Sequence, residues 1–374
     1  MPAVKPTAAK PKAVKPKIKH WMLYALGGGI GHLNRSVALA RAILRHAANE
    51  QLPSIAPESR THISLLTNSP FANDLPIDQE LQTVSGNNSC QVTALPAELS
   101  RDELAARIKM LMQASAIDVL VVDTFARGLG GELVDLLPQL RCRKILVHRN
   151  LNPRYVEKYD LATAIDQYDC LLIPGESAPF ENAVHATSTA PWLIRDDHEL
   201  LPLPEARIIL RVESETLPVV AVIGCGKHEE VNEMCNHARQ LAKDFNSVAT
   251  IRFVAPRQPE RVETESLSGL TTICLWPLLQ AMRAVSVLVG SGGYNTVHEA
   301  KATATPFIGI PRKRLYDLQY PRLEGHSIAM NYEDIRRYVA DAIEAANNTA
   351  KTLPTPRYSN GVHEAIQVIE AIKN

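Results

Sequence analysis

The 374-residue chain reads as an α/β protein: two Rossmann-like, doubly wound domains facing each other across a cleft. Three observations predict this. Short apolar runs alternate with helix-period segments, as in layered parallel sheets. A proline-rich, irregular stretch at about 191–218 breaks that rhythm, which then restarts. Each half also carries a glycine-rich turn between an apolar run and a helix start. The length suffices for two separate cores.

In the first half the apolar runs predict strands at 21–26, 62–67, 90–95, 119–123, 144–148 and 170–174, with helix patterns at 36–46 and 101–114 between them. In the second half they predict strands at 219–223, 250–255, 272–275, 285–289 and 307–310. A helix is expected over 229–245, and two more, 332–346 and 362–373, close the chain. The expected organisation is a tail at 1–20, a first domain at 21–200 and a second at 201–374, its last helix packing back on the first. Ligands of such sheets bind at the carboxyl ends of the strands, here across the cleft.

Composition narrows the function. A content of 45% hydrophobic and 21% charged residues is ordinary for a globular protein. Net charge is zero, but Lys5, Lys10, Lys12, Lys15, Lys17 and Lys19 all fall in the first 20 residues, which hold no acid. The remainder, with 34 basic and 40 acidic residues, argues against a nucleic-acid surface. The tail repeats Lys, Pro, Ala and Val and is expected to be disordered, either as a solvated extension or as a tether to anionic lipid. The run after it is too short for a signal peptide and ends in glycines rather than a cleavage site. No run of 18 apolar residues exists to span a membrane. The six cysteines are scattered without metal-type spacing, as in a reducing cytosol.

The most informative segment is Gly290-Ser291-Gly292-Gly293-Tyr294-Asn295-Thr296-Val297-His298-Glu299. It reads as strand end, glycine turn and helix start. Bare backbone and a helix N-terminus suit a pyrophosphate, and Glu299, one or two turns on, suits a ribose diol. The first half has Gly27-Gly28-Gly29-Ile30-Gly31-His32-Leu33-Asn34-Arg35. A dinucleotide fingerprint is disfavoured there, because the third glycine and the acid after the next strand are missing. His32 is either a hydrogen-bonded residue of a capping turn or a base. Asp123 ends its strand and either caps its own loop or holds the imidazole of His32, fixing its tautomer and raising its basicity.

Taken together, Gly29-Ile30-Gly31-His32, the strand ending Val121-Val122-Asp123, and Gly292-Gly293-Tyr294-Asn295-Thr296-Val297-His298-Glu299 followed by Pro306, Pro311 and Gln319 resemble the GT-B-fold glycosyltransferases. The similarity is to the MurG-like and UDP-glycosyltransferase families, including uncharacterised MurG-like predicted glycosyltransferases, and covers roughly 21–370. It implies His32 as base, with Asp123 as its partner. It implies a donor site of Gly29, Gly31, Gly224, Cys225, Gly226, Ser291, Gly292, Gly293, Asn295 and Thr296 around the diphosphate. Glu299 would take the ribose, Asp317 and Gln319 the sugar hydroxyls. Trp276 stands where the family places its base-binding loop, and reads equally as a buried strand-end tryptophan. Ser291 replaces the histidine of the UDP-glycosyltransferase motif. The basic run Arg312-Lys313-Arg314 is either a solvated loop or a set of anion contacts.

The activity implied is inverting transfer from a UDP-sugar co-substrate to an acceptor hydroxyl, with no cofactor and no metal, since D-x-D clusters are absent and Asp196-Asp197 falls in the linker. A lipid-linked or cell-envelope acceptor would place the protein in the cytoplasm or on the inner membrane face. The apolar–basic segment 107–112 would serve that surface, or else is the inner side of an amphipathic helix. A nucleotide-sugar hydrolase, an epimerase of the same fold and a non-catalytic binder are the alternatives.

Overall fold

The computed structural model describes residues 18–50, 60–96, 98–257, 270–348 and 357–372. The lysine-rich segment before residue 18 lies outside them. The first sheet contains β1 (Ile18–Ala25), β2 (Arg60–Thr67), β3 (Ser89–Ala94), β4 (Val119–Asp123), β5 (Arg143–Val147), β6 (Cys170–Pro174) and β7 (Ala186–Thr189). The second contains β8 (Val219–Ile223), β9 (Thr250–Ala255), β10 (Leu270–Cys274), β11 (Val287–Ser291), β12 (Phe307–Ile310) and β13 (Ser327–Ile328). Strand orders are β3-β2-β1-β4-β5-β6-β7 and β10-β9-β8-β11-β12-β13, parallel throughout.

The helices of the first half are α1 (Ile30–Glu50), α2 (Ile77–Ser85), α3 (Arg101–Gln113), α4 (Pro153–Lys158) and α5 (Leu161–Ile165). The second half and its approach carry α6 (Leu203–Ile209), α7 (His228–Phe245), α8 (Tyr294–Ala302), α9 (Gln319–Arg322), α10 (Tyr332–Asn348) and α11 (Gly361–Ala371).

Both sheets are doubly wound: strand order reverses direction between β1 and β4, and again between β8 and β11. At such a switch point successive connections leave in opposite directions, and a crevice opens at the strand carboxyl ends. β1 pairs directly with β4, Tyr24 opposite Val122. The start of α1, just after β1, and the residue ending β4 bring His32 and Asp123 together by topology.

Alternation along β1 explains the layering. Trp21, Leu23 and Ala25 join one apolar cluster, while Met22, Tyr24 and Leu26 join another on the opposite face. The first cluster is continuous across both halves, taking in Val219, Trp276, Leu288 and Val297, with α1, α8 and α11 between the sheets. α11 lies against the first half: Gly361 N–H donates to Pro191 O at 3.0 Å, and the Asn360 amide exchanges bonds with the Leu193 backbone at 3.0 and 2.8 Å.

The structure differs from the sequence expectation in a few places. β1 starts at Ile18, and β11 lies two residues later than expected because 278–284 form a 3₁₀ turn. β7 and β13 were not anticipated; one is a polar edge strand, the other two residues long. In α3, Ile108 and Met112 are buried, so the apolar side of 107–112 is the inner face of a packed helix. Among the described residues no helix is long and apolar enough to cross a membrane.

Candidate active site at the cleft

His32 and Asp123 meet in the crevice of the first sheet. The Nδ1 of His32 lies 2.7 Å from Asp123 Oδ2. A carboxylate only accepts, so Nδ1 carries the proton and Nε2 is the basic nitrogen. The ring stacks on Phe125 with centroids 5.2 Å apart. On its other side sits Gly27, whose φ of +155° favours glycine. A Cβ there would fall 2.5 Å from His32 Nε2 and 2.2 Å from Cδ2, so only bare backbone leaves room for the ring.

Asp123 is 2% exposed, and Arg35 completes its shell with Nε at 3.1 Å and Nη2 at 2.7 Å. Burial opposes ionisation, but the charges of Arg35 and His32 outweigh it and hold this carboxyl well below the usual range. For His32 the balance runs the other way. Burial lowers its pKa, the Asp123 charge only partly offsets this, and Arg35 and Arg149 lower it further. The expected rise in basicity from aspartate is thus overridden, and the imidazole stays neutral near pH 7.

The second half presents α8 to this pair. Ser291 ends β11, Gly293 caps α8, and Asn295 and Thr296 lie in its first turn. A Cβ on Gly31 would sit 4.0 Å from Asn295 Nδ2, so the first turn of α1, which carries His32, and the start of α8 adjoin. Gly293 faces open space and a Cβ on Gly29 would meet only the Gly31 backbone nitrogen, at 4.0 Å, whereas Gly292 is packed on Leu323 and Gln319. Gly224 and Gly226 close on Phe253 and Glu230 respectively. Glu299 is 9% exposed with no hydrogen bond to its carboxyl group among the described residues. Burial alone pushes its pKa up to about 8.

The remaining sequence candidates have partners of their own. Trp276 donates its indole N–H to Asn34 Oδ1 at 2.7 Å and so joins the halves. Gln319 is buried and accepts from the Arg312 N–H at 2.9 Å. Asp317 binds Arg322 at 2.7 Å, and its backbone pairs with Leu151. Within the basic run Arg312 binds Glu233 at 2.7 Å and Arg314 binds Glu230 at 2.8 Å, both partners on α7, while Lys313 is exposed.

Several cleft residues were not singled out from sequence. Arg149 packs its guanidinium 4.5 Å from the centre of the Tyr294 ring and binds Glu176 at 3.2 Å. Arg322 reaches Glu176 at 2.8 Å and the Gly292 carbonyl at 3.0 Å. His298 is buried with neither ring nitrogen hydrogen-bonded among the described residues, and burial pushes it down to about 4. Arg149 and Glu176 share one signal, a charged residue just past a parallel strand, in His148-Arg149 after β5 and Gly175-Glu176 after β6, whereas Arg322 ends α9 and His298 lies within α8.

Two doubly wound sheets, each with a glycine loop at its switch point and the two loops facing, constitute the GT-B architecture. Solved structures of that architecture align along nearly the whole chain. A protein assigned as a UDP-N-acetylglucosamine 2-epimerase from Listeria monocytogenes aligns with TM-score 0.63 at 13% identity, over 94% of this chain and 95% of its own. The spinosyn rhamnosyltransferase SpnG, complexed with thymidine diphosphate, gives 0.53 at 13%, over 94% and 100%. MurG of Acinetobacter baumannii gives 0.50 at 12%, over 95% and 100%. Identity this low establishes the fold alone. No family model matches the chain, and no curated protein matches its sequence.

Proposed function

We propose that this protein is an inverting, metal-independent glycosyltransferase that moves a sugar from a UDP-sugar to an acceptor hydroxyl. The observation that carries the reading is the His32–Asp123 pair, joined at 2.7 Å, beside the N-terminus of α8. Nε2 of His32 takes the acceptor proton as the hydroxyl oxygen attacks the anomeric carbon. The bond from that carbon to the distal phosphate oxygen breaks, and UDP departs on the opposite face. The free N–H groups and positive dipole end of α8 stabilise the charge that develops there. Glu299, buried and unpaired, takes the ribose diol. SpnG, crystallised with thymidine diphosphate, supports a nucleoside diphosphate as a ligand of this fold.

Six lysines and no acid in the first 20 residues suit an anionic membrane surface, so we place the acceptor on a lipid or cell-envelope glycan at the inner membrane face. The similarity to a protein assigned as a UDP-N-acetylglucosamine 2-epimerase supports a second reading, isomerisation or hydrolysis of the donor. Incubation with UDP-sugars alone separates the readings. A transferase leaves the donor unchanged until acceptor lipid is added. A hydrolase releases UDP at once, and an epimerase yields an isomeric donor. His32→Ala should abolish whichever turnover is seen; retention of it would remove His32 from the chemistry.

A further inference from the structure

Arg35 has one guanidinium nitrogen without a partner among the described residues. Nε and Nη2 both bind Asp123, and Nη2 also reaches Thr124 Oγ1 at 3.3 Å. Among the described residues Nη1 is buried with no hydrogen-bond partner, in a residue only 1% exposed. Leaving a charged donor unsatisfied in the interior is costly, so such a nitrogen marks a place where an anion is received. Its surroundings fit. A Cβ on Gly31 would lie 3.8 Å from Arg35 Nη1 and 4.0 Å from Asn295 Nδ2. The Asn295 amide has no partner among the described residues, and the cap of α8, Gly293, faces open space. Arg35 from the first half and Asn295 with the α8 terminus from the second therefore converge on the bare backbone of Gly31. The Tyr294 ring, 5.2 Å from the guanidinium carbon, backs the arrangement.

We propose that Arg35 is a cross-cleft ligand for the phosphoryl group nearest the transferred sugar. The inference rests on the nucleotide-sugar reading of the cleft. Gly31 directly precedes His32, so the anion lying against Gly31 is the one adjoining the reacting carbon. That group gains charge as the glycosidic bond breaks, and a fixed guanidinium nearby stabilises it. The same planar group holds Asp123, which holds His32, so one side chain sets both the leaving-group contact and the base. The N-terminal half thereby recognises a diphosphate rather than a monophosphate.

The test is calorimetric titration of the full chain with UDP, GDP and dTDP, then with the monophosphate of whichever binds, for wild type and Arg35→Lys. Lysine keeps a cation beside Asp123 but lacks the second arm. Diphosphate affinity should fall about tenfold or more, and monophosphate affinity less than about twofold. Equal losses on both ligands, or an unchanged diphosphate affinity, overturn the proposal. Where Arg35→Lys melts early, the double variant Arg35→Gln/Asp123→Asn removes both charges together and is read the same way. Wild type that binds no nucleoside diphosphate sinks the nucleotide-sugar reading itself. Wild type that binds while Arg35→Lys binds equally well sinks only the role of Arg35.

Discussion

Replacing Glu299 with glutamine should stabilise the empty protein, increasingly so as pH rises. The carboxyl is 9% exposed with no cation to pair with among the described residues, and burial pushes it from 4.5 up to about 8. A group whose pKa is raised on folding contributes its full stability below the unfolded value and loses it as pH climbs through the folded one. With those two pKa values, wild type loses about 2.5 kcal/mol between pH 5 and pH 7 and about 1.4 kcal/mol more by pH 9, at 1.36 kcal/mol per unit. Glutamine has the same shape and does not titrate. Melting curves at pH 5, 7 and 9 should show Glu299→Gln pulling ahead of wild type by roughly 5–10 °C from pH 5 to 7, taking about 2–4 °C per kcal/mol for a unit this size. On the proposed reading ribose hydroxyls donate to this carboxylate, so nucleotide should bind better as pH rises toward 8. Parallel melting of the two proteins across this range would refute the reasoning, because Glu299 would then already have a partner.

Gly27→Ala should cut turnover by about a hundredfold with the fold retained, since its Cβ displaces the His32 ring and a small misplacement of a catalytic group is costly; turnover within a few-fold of wild type would contradict that contact. The acid limb of kcat/KM should lie below pH 6.5, because burial holds His32 below its ordinary value and only the neutral ring accepts a proton. Asp123→Asn should move that limb lower still and reduce the plateau about 10²–10⁴-fold, and a limb that moves up would show Asp123 acting otherwise. Trp276→Phe should lower the melting temperature through loss of the Asn34 bond, worth about 1 kcal/mol, with little change in nucleotide affinity. Lost affinity at unchanged melting would instead make Trp276 a platform for the base.

Much of this architecture was legible because its strands are buried on both faces and read as unbroken apolar runs. Val119–Asp123, Cys170–Pro174, Val219–Ile223, Thr250–Ala255 and Phe307–Ile310 fall where those runs predict. Edge strands such as Ala186–Thr189, half polar and short, leave no such trace. His32 and Asp123 were legible as a pair because parallel topology brings strand carboxyl ends together, whatever their separation in sequence. Arg149, Glu176 and Arg322 were not, because a charged residue in a loop is ordinarily solvated and only the approach of the two halves buries these. For the same reason the ion pairs of Arg312 and Arg314 could not be read from the run 312–314: their acids lie on α7, some 80 residues away in the chain.

The most direct test of the account is a thermal-shift comparison of wild type and Glu299→Ala against UDP, GDP, dTDP and their sugar conjugates. A ligand at 100 times its dissociation constant adds about 2.7 kcal/mol. The account predicts stabilisation by UDP and UDP-sugars that Glu299→Ala loses. No stabilisation by any of these nucleotides would contradict it, leaving the GT-B fold without the donor site proposed here.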